Sequence, residues 1–461
     1  MPDGVENLFS PGSVAIVGAS RDPKKFGNVI LKNFMLSFKG RIYPVNPNME
    51  EIMGLKCYPK TSSIKGDVDL AVIIVPSEIA LQTVEDCGKK GVKSLVIITS
   101  GFSETGDTER EKELAKIITK YKMRAIGPNC LGILDTYSGV DTIFNPQYKL
   151  NRPSKGSISF VSQSGALGAA VLDWAHSEFV GMSKFVSYGN GVDLRESELI
   201  DYLGNDGTTK SIALYLEGLH DGRRFIEACS RVSRKKPIVA LKAGKSEAGS
   251  KAAMSHTASL AGSANVFSGV FKQCGVIEVD DVDELFDCSR ILAYQKPLDG
   301  NNIAVVTNGG GFGVLAADAI EEAGMKLASF SPAAEKLLRK SLPATVNVRN
   351  PLDLVGDADT KRYKDALDII SKESGVDCML VILLMQVSTL GSDVIDAVTE
   401  IYKDRKKPVA VCSAGGNFTQ IHMHVLEKEG IPVYSTPKKA VKSIKALWRY
   451  GKIKNRPSDG R

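Results

Sequence analysis

Val14-Ala-Ile-Val17 runs into Gly18-Ala-Ser-Arg-Asp-Pro-Lys-Lys-Phe-Gly27, and a helical pattern follows from Asn28 to Phe38. A short apolar run, a glycine-rich break and an amphipathic stretch predict strand, turn and helix. That geometry points backbone N–H groups at a diphosphate. Outward from it, buried-type strands are expected at 41–45, 68–75 and 94–99, with amphipathic stretches between them. The alternation predicts an α/β fold with a parallel, doubly wound sheet, Rossmann-like at this end of the chain. Taken alone, such a turn also serves simply to join a strand to a helix.

The end of the second strand narrows the ligand. Dinucleotide sites usually carry Asp or Glu there for the ribose hydroxyls, and here it reads Val45-Asn46-Pro47. The loop after the first strand is also longer than G-x-G-x-x-G. Both departures argue against a nicotinamide cofactor and leave room for another diphosphate with a pantetheine arm. The candidate cradle is Gly18, Ala19, Ser20 and Lys25, with Val45, Asn46 and Pro47 beside it. The arm would pass over the strand ends at Pro76, Ser100-Gly101-Phe102 and Pro128-Asn129-Cys130. Coenzyme A fits that description.

Two later strands feed turns of the same kind. Ser157-Ile-Ser-Phe-Val161 leads into Ser162-Gln163-Ser164-Gly165, and Ile303-Ala-Val-Val306 into Thr307-Asn308-Gly309-Gly310-Gly311. Each predicts an anion nest at a helix N-terminus, where unpaired N–H groups favour negative charge by roughly 0.3–1 kcal/mol. A third strand, 211–216, ends in Glu217-Gly218, which puts a carboxylate where open α/β sheets bind ligands. His256, one of only five histidines, lies in Gly249-Ser-Lys-Ala-Ala-Met-Ser-His-Thr-Ala-Ser-Leu-Ala-Gly262. An imidazole nitrogen can attack a phosphoryl group and hold it, and small neighbours let a loop present the ring to different partners. Glu217 could orient that ring by accepting its other N–H. A packed or surface histidine and a solvated strand-end glutamate are the plainer alternatives.

Over nearly its whole length the chain resembles the α subunits of ADP-forming acyl-CoA synthetases, relatives of succinyl-CoA synthetase. The motifs are Gly18-Ala-Ser20 with Lys25 and Gly27, Gly127-Pro-Asn-Cys-Leu-Gly132, Ser162-Gln-Ser-Gly-Ala-Leu-Gly168 and Ser187-Tyr-Gly-Asn190. Leu216-Glu-Gly218, Ser255-His-Thr257 with Leu260-Ala-Gly262, and Thr307-Asn-Gly-Gly-Gly311 complete the set. The resemblance implies a phosphorylated His256 partnered by Glu217, a CoA site in the first domain, and the two Gly/Ser turns as phosphate cradles. It implies three domains: a CoA-binding Rossmann-like domain at 1–145, a flavodoxin-like domain carrying the phosphohistidine loop at 150–297, and a second flavodoxin-like ligase domain at 300–461. The implied reaction converts acyl-CoA, ADP and phosphate to a carboxylic acid, ATP and CoA. ADP or ATP with Mg2+ would be held mainly by an ATP-grasp β subunit in an α2β2 assembly, since neither G-x-x-x-x-G-K-[ST] nor an ATP-grasp segment is found here. Ala258 stands where relatives commonly have Gly, which stiffens the loop slightly.

Composition adds limits. A formal charge of +6 over 461 residues gives no reason to invoke nucleic acid. Eight scattered cysteines without a C-x-x-C pair indicate neither a zinc ribbon nor a disulfide framework, and suit a reducing cytoplasm. No leader-like segment or spanning apolar run is read, so no membrane partner is expected. Cys130 is expected as a packed small hydrophobe. No metal site is expected: His422 and His424 lie i, i+2 on a helix and face different ways, and His176 and His220 are expected to be structural. The rival readings are a CoA-binding regulatory protein with a dead site, a nicotinamide dehydrogenase, and an acetyltransferase for whose catalytic domain the chain leaves no room.

Overall fold

The computed structural model describes residues 4–249, 251, 264–404 and 407–456. His256 and its neighbours from 252 to 263 lie outside the described residues. The chain folds as two compact units, Met1–Val232 with Ala240–Glu278, and Ser233–Val239 with Val279–Arg461.

The first unit opens with β1 (Ser13–Val17), β2 (Arg41–Val45), the hairpin β3–β4 (Glu51–Ile52, Leu55–Lys56), β5 (Leu70–Ile73), β6 (Ser94–Ile97) and β7 (Arg124–Ile126). The parallel sheet runs β2-β1-β5-β6-β7, so strand order reverses between β1 and β5. Ligands sit outside the carboxyl ends of such a switch point. β1, β5 and β6 are buried along their whole length, as continuous apolar strands covered on both faces must be. Helices α1 (Glu6–Phe9), α2 (Phe26–Ser37), α3 (Ser77–Lys90) and α4 (Thr108–Lys120) accompany them.

A second sheet contains β8 (Gly132–Asp135), β9 (Val140–Asp141), β10 (Lys155–Ser162), β11 (Met182–Ser187), β12 (Ser211–Leu216), β13 (Ile238–Lys242) and β14 (Val276–Val279), in the order β14-β13-β12-β10-β11-β8-β9. Its helices are α5 (Gly165–Ser177), α6 (Glu196–Asn205), α7 (Gly222–Val232) and α8 (Ala264–Cys274). β8 runs antiparallel to β11, with Ile133 opposite Val186. Residues 132–141, inside the span 1–145 expected for the first domain, thus pair in the second sheet. A buried ion pair ties this edge together, with Lys184 Nζ 3.2 Å from Asp135 and 3.0 Å from Asp206.

The second unit carries α9 (Val282–Tyr294), β15 (Asn302–Thr307), α10 (Gly310–Glu322), β16 (Lys326–Leu327), α11 (Pro332–Ser341), β17 (Leu352–Asp353), α12 (Thr360–Ser371), β18 (Cys378–Ile382), α13 (Val394–Asp404), β19 (Val409–Cys412), α14 (Asn417–Lys428), β20 (Val433–Tyr434) and α15 (Pro437–Lys454). The sheet order β16-β15-β18-β19-β20, with β17 beside β15, is that of a flavodoxin-like layer. α9, inside the span 150–297 expected for the middle domain, packs against α15 within this unit. Arg290 of α9, buried and stacked over Tyr434, pairs with Asp287 and with Glu427 of α14 at 2.8 Å. A buried cation needs such partners.

Helix starts separate structural ends from open ones. Asp107, Asp281, Ser331 and Thr436 cap α4, α9, α11 and α15 with side-chain oxygens. By contrast α2 and α10 begin at Lys25 and Gly309, which supply no side-chain cap; Asn28 N and Phe312 N turn back to the Lys25 and Gly309 carbonyls at 3.0 Å each. Among the described residues no helix is long and apolar enough to cross a membrane.

Candidate active site

The turn after β1 is held shut by close backbone packing. Gly18 has φ +97°, and a Cβ there would lie 2.2 Å from Ile74 O; a Cβ on Gly27 would lie 2.0 Å from Gly18 O. Only glycine lets α2 start this near the strand. Asn28 Nδ2 donates to Ser20 O at 2.9 Å and Arg21 O at 3.0 Å, fixing the loop from inside. Ala19 and Ser20 are buried and Lys25 is exposed. Asn46, where a dinucleotide protein carries an acid, donates from Nδ2 to Ala19 O at 2.8 Å and accepts from Asn48 N at 2.9 Å. It braces the turn. Pro47 and Pro76 are exposed at the strand ends, while Val45 is core.

Further along the edge, two expectations are corrected. Phe102 is wholly buried in the core, and the Gly101 and Phe102 N–H groups already donate to the Glu104 carboxylate, Gly101 at 2.6 Å. Ser100 alone of that trio lines the cleft. Burial pulls the Glu104 carboxyl upward, but hydrogen bonds from Asn190, Gly101 and Phe102 outweigh it and hold the carboxyl below its ordinary range. Asn129 also faces the cleft and is bonded to Asn190, whose backbone N–H donates to Pro128 O at 3.0 Å. Cys130 forms part of the wall, yet it is packed as expected, its thiol pushed up to about 12 by burial.

This cleft lies within the first unit and encloses about 690 Å³, a volume in the usual range for small-molecule sites. Phe26 and Phe144, stacked with centroids 4.4 Å apart, form an apolar wall. Gln163, Ser164, Gly165, Arg195 and His220 also line the cleft. His220 was expected to be merely structural and instead faces the cleft, where burial, reinforced by the Arg195 charge, pulls its imidazole below the ordinary range. No local pattern singled out Arg195, Glu104 or Glu111; the Ser187-Tyr-Gly-Asn190 motif was the one signal near them.

The two Gly/Ser turns are built alike. Ser162 Oγ donates to Ser164 O at 2.8 Å and Thr307 Oγ1 to Gly309 O at 3.1 Å, and each hydroxyl accepts the N–H of the same residue. The next side chain then reaches across to the neighbouring strand end. Gln163 Oε1 accepts from Glu217 N and, at 3.0 Å, from Gly218 N, while Nε2 donates to Gly218 O at 3.0 Å. Asn308 exchanges bonds with Leu384 at 2.9 and 3.2 Å. The side chains of Gln163 and Asn308, both expected at phosphate sites, brace their turns in this way. The Ser164 and Gly309 N–H groups are thereby used within their turns, and α5 and α10 start at Gly165 and Gly310. Ser164 Oγ accepts from Leu167 N at 3.3 Å. At α10 the Asp353 carboxylate lies close by: a Cβ on Gly310 would sit 2.9 Å from its Oδ2. Glu217 is 7% exposed at the end of β12. Burial, with the Glu217 charge and a hydrogen bond to it, pushes the Tyr215 phenol up to about 12. Lys242 is also near, its ammonium drawn down by burial and partly restored by Glu217.

Comparison with known proteins matches this plan. Residues 12–136 match a CoA binding domain, 155–292 a succinyl-CoA ligase like flavodoxin domain, and 303–456 a Ligase-CoA domain. The chain is thus of the succinyl-CoA ligase-like class. It is 42% identical over 457 residues to the α subunit of acetate–CoA ligase [ADP-forming] II of Pyrococcus furiosus, spanning 97% of this chain and 98% of that one. It is 42% identical to acetate–CoA ligase [ADP-forming] I of Archaeoglobus fulgidus, of which it spans 64%. Acetyl-coenzyme A synthetase 1 of Ca. Korarchaeum cryptofilum, solved in complex with phosphate and ADP, superposes with a TM-score of 0.93 at 38% identity and 98% coverage of both chains. The chain belongs to the family of ADP-forming acetate–CoA ligase α subunits.

Proposed function

We propose that this chain is the CoA-binding, phosphohistidine-carrying subunit of an ADP-forming acyl-CoA synthetase. The observation that carries the reading is the convergence of three features in one unit: the glycine-locked turn after β1, a 690 Å³ cleft, and Glu217 braced to the α5 turn through Gln163. The turn suits a diphosphate because α2 begins on it with no side-chain cap on its first turn. The cleft suits a pantetheine arm because its lining combines an aromatic pair with polar groups.

In the proposed reaction a phosphate oxygen attacks the thioester carbonyl, the C–S bond breaks, and CoA leaves as a thiolate that takes up a proton. The product acyl phosphate then yields its phosphoryl group to an imidazole nitrogen of His256; the P–O bond breaks and a carboxylate departs. Finally a β-phosphate oxygen of ADP attacks phosphorus and the P–N bond breaks, giving ATP and free imidazole. Glu217 accepts the second ring N–H of His256 and stabilises the positive ring. N–H groups at Gly165 and at Gly310-Gly311 hold the phosphoryl oxygens at two stations. The nucleotide, with Mg2+, sits on an ATP-grasp β subunit in an α2β2 assembly. A reducing cytoplasm suits eight cysteines that are all buried and in no disulfide.

The chain, mixed with an ATP-grasp subunit, ADP, phosphate and a panel of acyl-CoAs, is expected to form ATP and release CoA in equal amounts. His256→Ala should abolish both. Tight CoA binding with no turnover on any acyl-CoA would instead mark a CoA-binding regulatory protein.

A further inference from the structure

We propose that Glu111 and Arg195 are the acyl-recognition pair of the cleft, and that together they select an acyl group ending in a hydroxyl. The inference rests on the synthetase reading above and adds a substrate class to it.

Both residues line the 690 Å³ cleft and both are partly buried. Each side chain is tied down on one side. Glu111, on α4, accepts at Oε2 from Ser103 Oγ and Asn190 Nδ2, at 2.7 Å each, and from Ser103 N at 3.3 Å. Arg195, just before α6, donates from Nε to Gly191 O at 2.6 Å. Each is open on the other side. Among the described residues Glu111 Oε1 accepts no hydrogen bond, the two terminal nitrogens of Arg195 donate none, and neither residue enters an ion pair. The cleft thus holds a fixed acceptor and a fixed fork of N–H donors that do not neutralise each other. A charge partly removed from water is costly until a partner completes it.

Elimination narrows that partner. A carboxylate would gain Arg195 but meet Glu111 and the neighbouring Glu104, which shares Asn190 Nδ2 with it. An ammonium would gain Glu111 but meet Arg195. A methyl end would desolvate both charges and bond neither. Of these ends only a hydroxyl serves both, donating to Glu111 Oε1 and accepting from Arg195.

The acyl group belongs in this cleft because the thioester does. Gly165, the first residue of α5 at the proposed phosphate cradle, is part of the lining, and phosphate held there attacks the thioester carbonyl. Phe26, next to Gly27 of the diphosphate turn, brings the pantetheine arm in, and its stack on Phe144 gives the chain an apolar bed. Burial lowers the pKa of His220 in the same cleft; Arg195 adds to that and Glu111 opposes it, so one ring feels both charges.

The test compares ω-hydroxyacyl-CoAs of two, three and four carbons, each beside the same chain without the hydroxyl, in the assembled enzyme with ADP and phosphate. In at least one pair kcat/KM for the hydroxylated member should be higher by about 100-fold or more. Arg195→Met and Glu111→Ala should each lower that ratio by roughly 10–150-fold, the worth of a hydrogen bond to a charged group. A ratio of two substrates in one variant cancels any general loss of activity. If one variant fails to fold, the other and the wild-type ratio carry the test. Wild-type ratios within about threefold in every pair, or ratios unmoved in the variants, would overturn the inference. Succinyl-CoA turned over faster than every hydroxyacyl-CoA would overturn it too, leaving Arg195 to read a carboxylate. A Kd for free CoA that rises in the variants as far as the ratio falls would assign the pair to the pantetheine arm instead. No turnover of any acyl-CoA would overturn the synthetase reading and this inference with it.

Discussion

Gly27→Ala tests whether the turn after β1 is the diphosphate cradle. The added Cβ would stand 2.0 Å from Gly18 O and 2.9 Å from Gly18 C. Both are backbone atoms, so no side-chain rotation relieves the contact. Opening it to even 3.0 Å displaces the first turn of α2 by about 1 Å. Alanine favours helix over glycine by about 1 kcal/mol, so α2 itself should persist while its N–H groups move off the phosphate. A hydrogen bond to a charged group is worth about 1.5–3 kcal/mol, which is roughly a 10–150-fold rise in the Kd for CoA. Calorimetric titration of CoA into the purified variant, with far-UV circular dichroism to show that it is folded, gives the answer. A folded Gly27→Ala variant that binds CoA within twofold of wild type would refute the reasoning.

Other expectations follow from the same contacts. Arg290→Met leaves Asp287 and Glu427 buried without their cation, and should lower stability by about 3–5 kcal/mol, read as an earlier urea transition of the Trp448 fluorescence on α15; an unshifted midpoint would contradict it. Burial raises the Cys87, Cys130 and Cys412 thiols to about 12. Iodoacetamide at pH 8 should therefore label almost nothing in the native chain and all eight cysteines after denaturation; rapid native labelling of Cys130 would show it to be an accessible nucleophile. Burial pulls the Asp206 carboxyl upward but is outweighed by Thr209, Thr208 and Lys184, so its folded pKa lies below the unfolded value near 3.8. Its stabilisation is complete above that value and is lost as pH falls through the folded pKa. The stability gap between wild type and Asp206→Asn should then be flat from pH 5 to 8 and narrow below about pH 4; a gap unchanged at pH 3 would contradict the shift.

What could be read before folding was what is local. β12 spans Ser211–Leu216, as its apolar run predicts, and both Gly/Ser turns follow strands as expected. Periodicity records which residues alternate with burial, not which distant partner they meet. It therefore missed the antiparallel pairing of β8 with β11 and the packing of α9 on α15. Site side chains failed for a related reason. Gln163 and Asn308 stand in turns that read as anion-binding, yet a polar side chain long enough to reach the next strand end satisfies backbone groups there. Phe102, between glycine and serine in a loop, gave no hint of the core it enters. Asn46 carried information in the other direction: the missing acid was legible, while the bond from its amide to Ala19 O required the fold.

The most direct test is the mass of the intact chain after incubation with acyl-CoA and phosphate, alone and with an ATP-grasp subunit and ATP. One phosphoryl group, acid-labile, base-stable and absent from His256→Ala, is the predicted result. A chain that gains no phosphoryl group under either condition, or gains it equally in His256→Ala, would contradict the central claim.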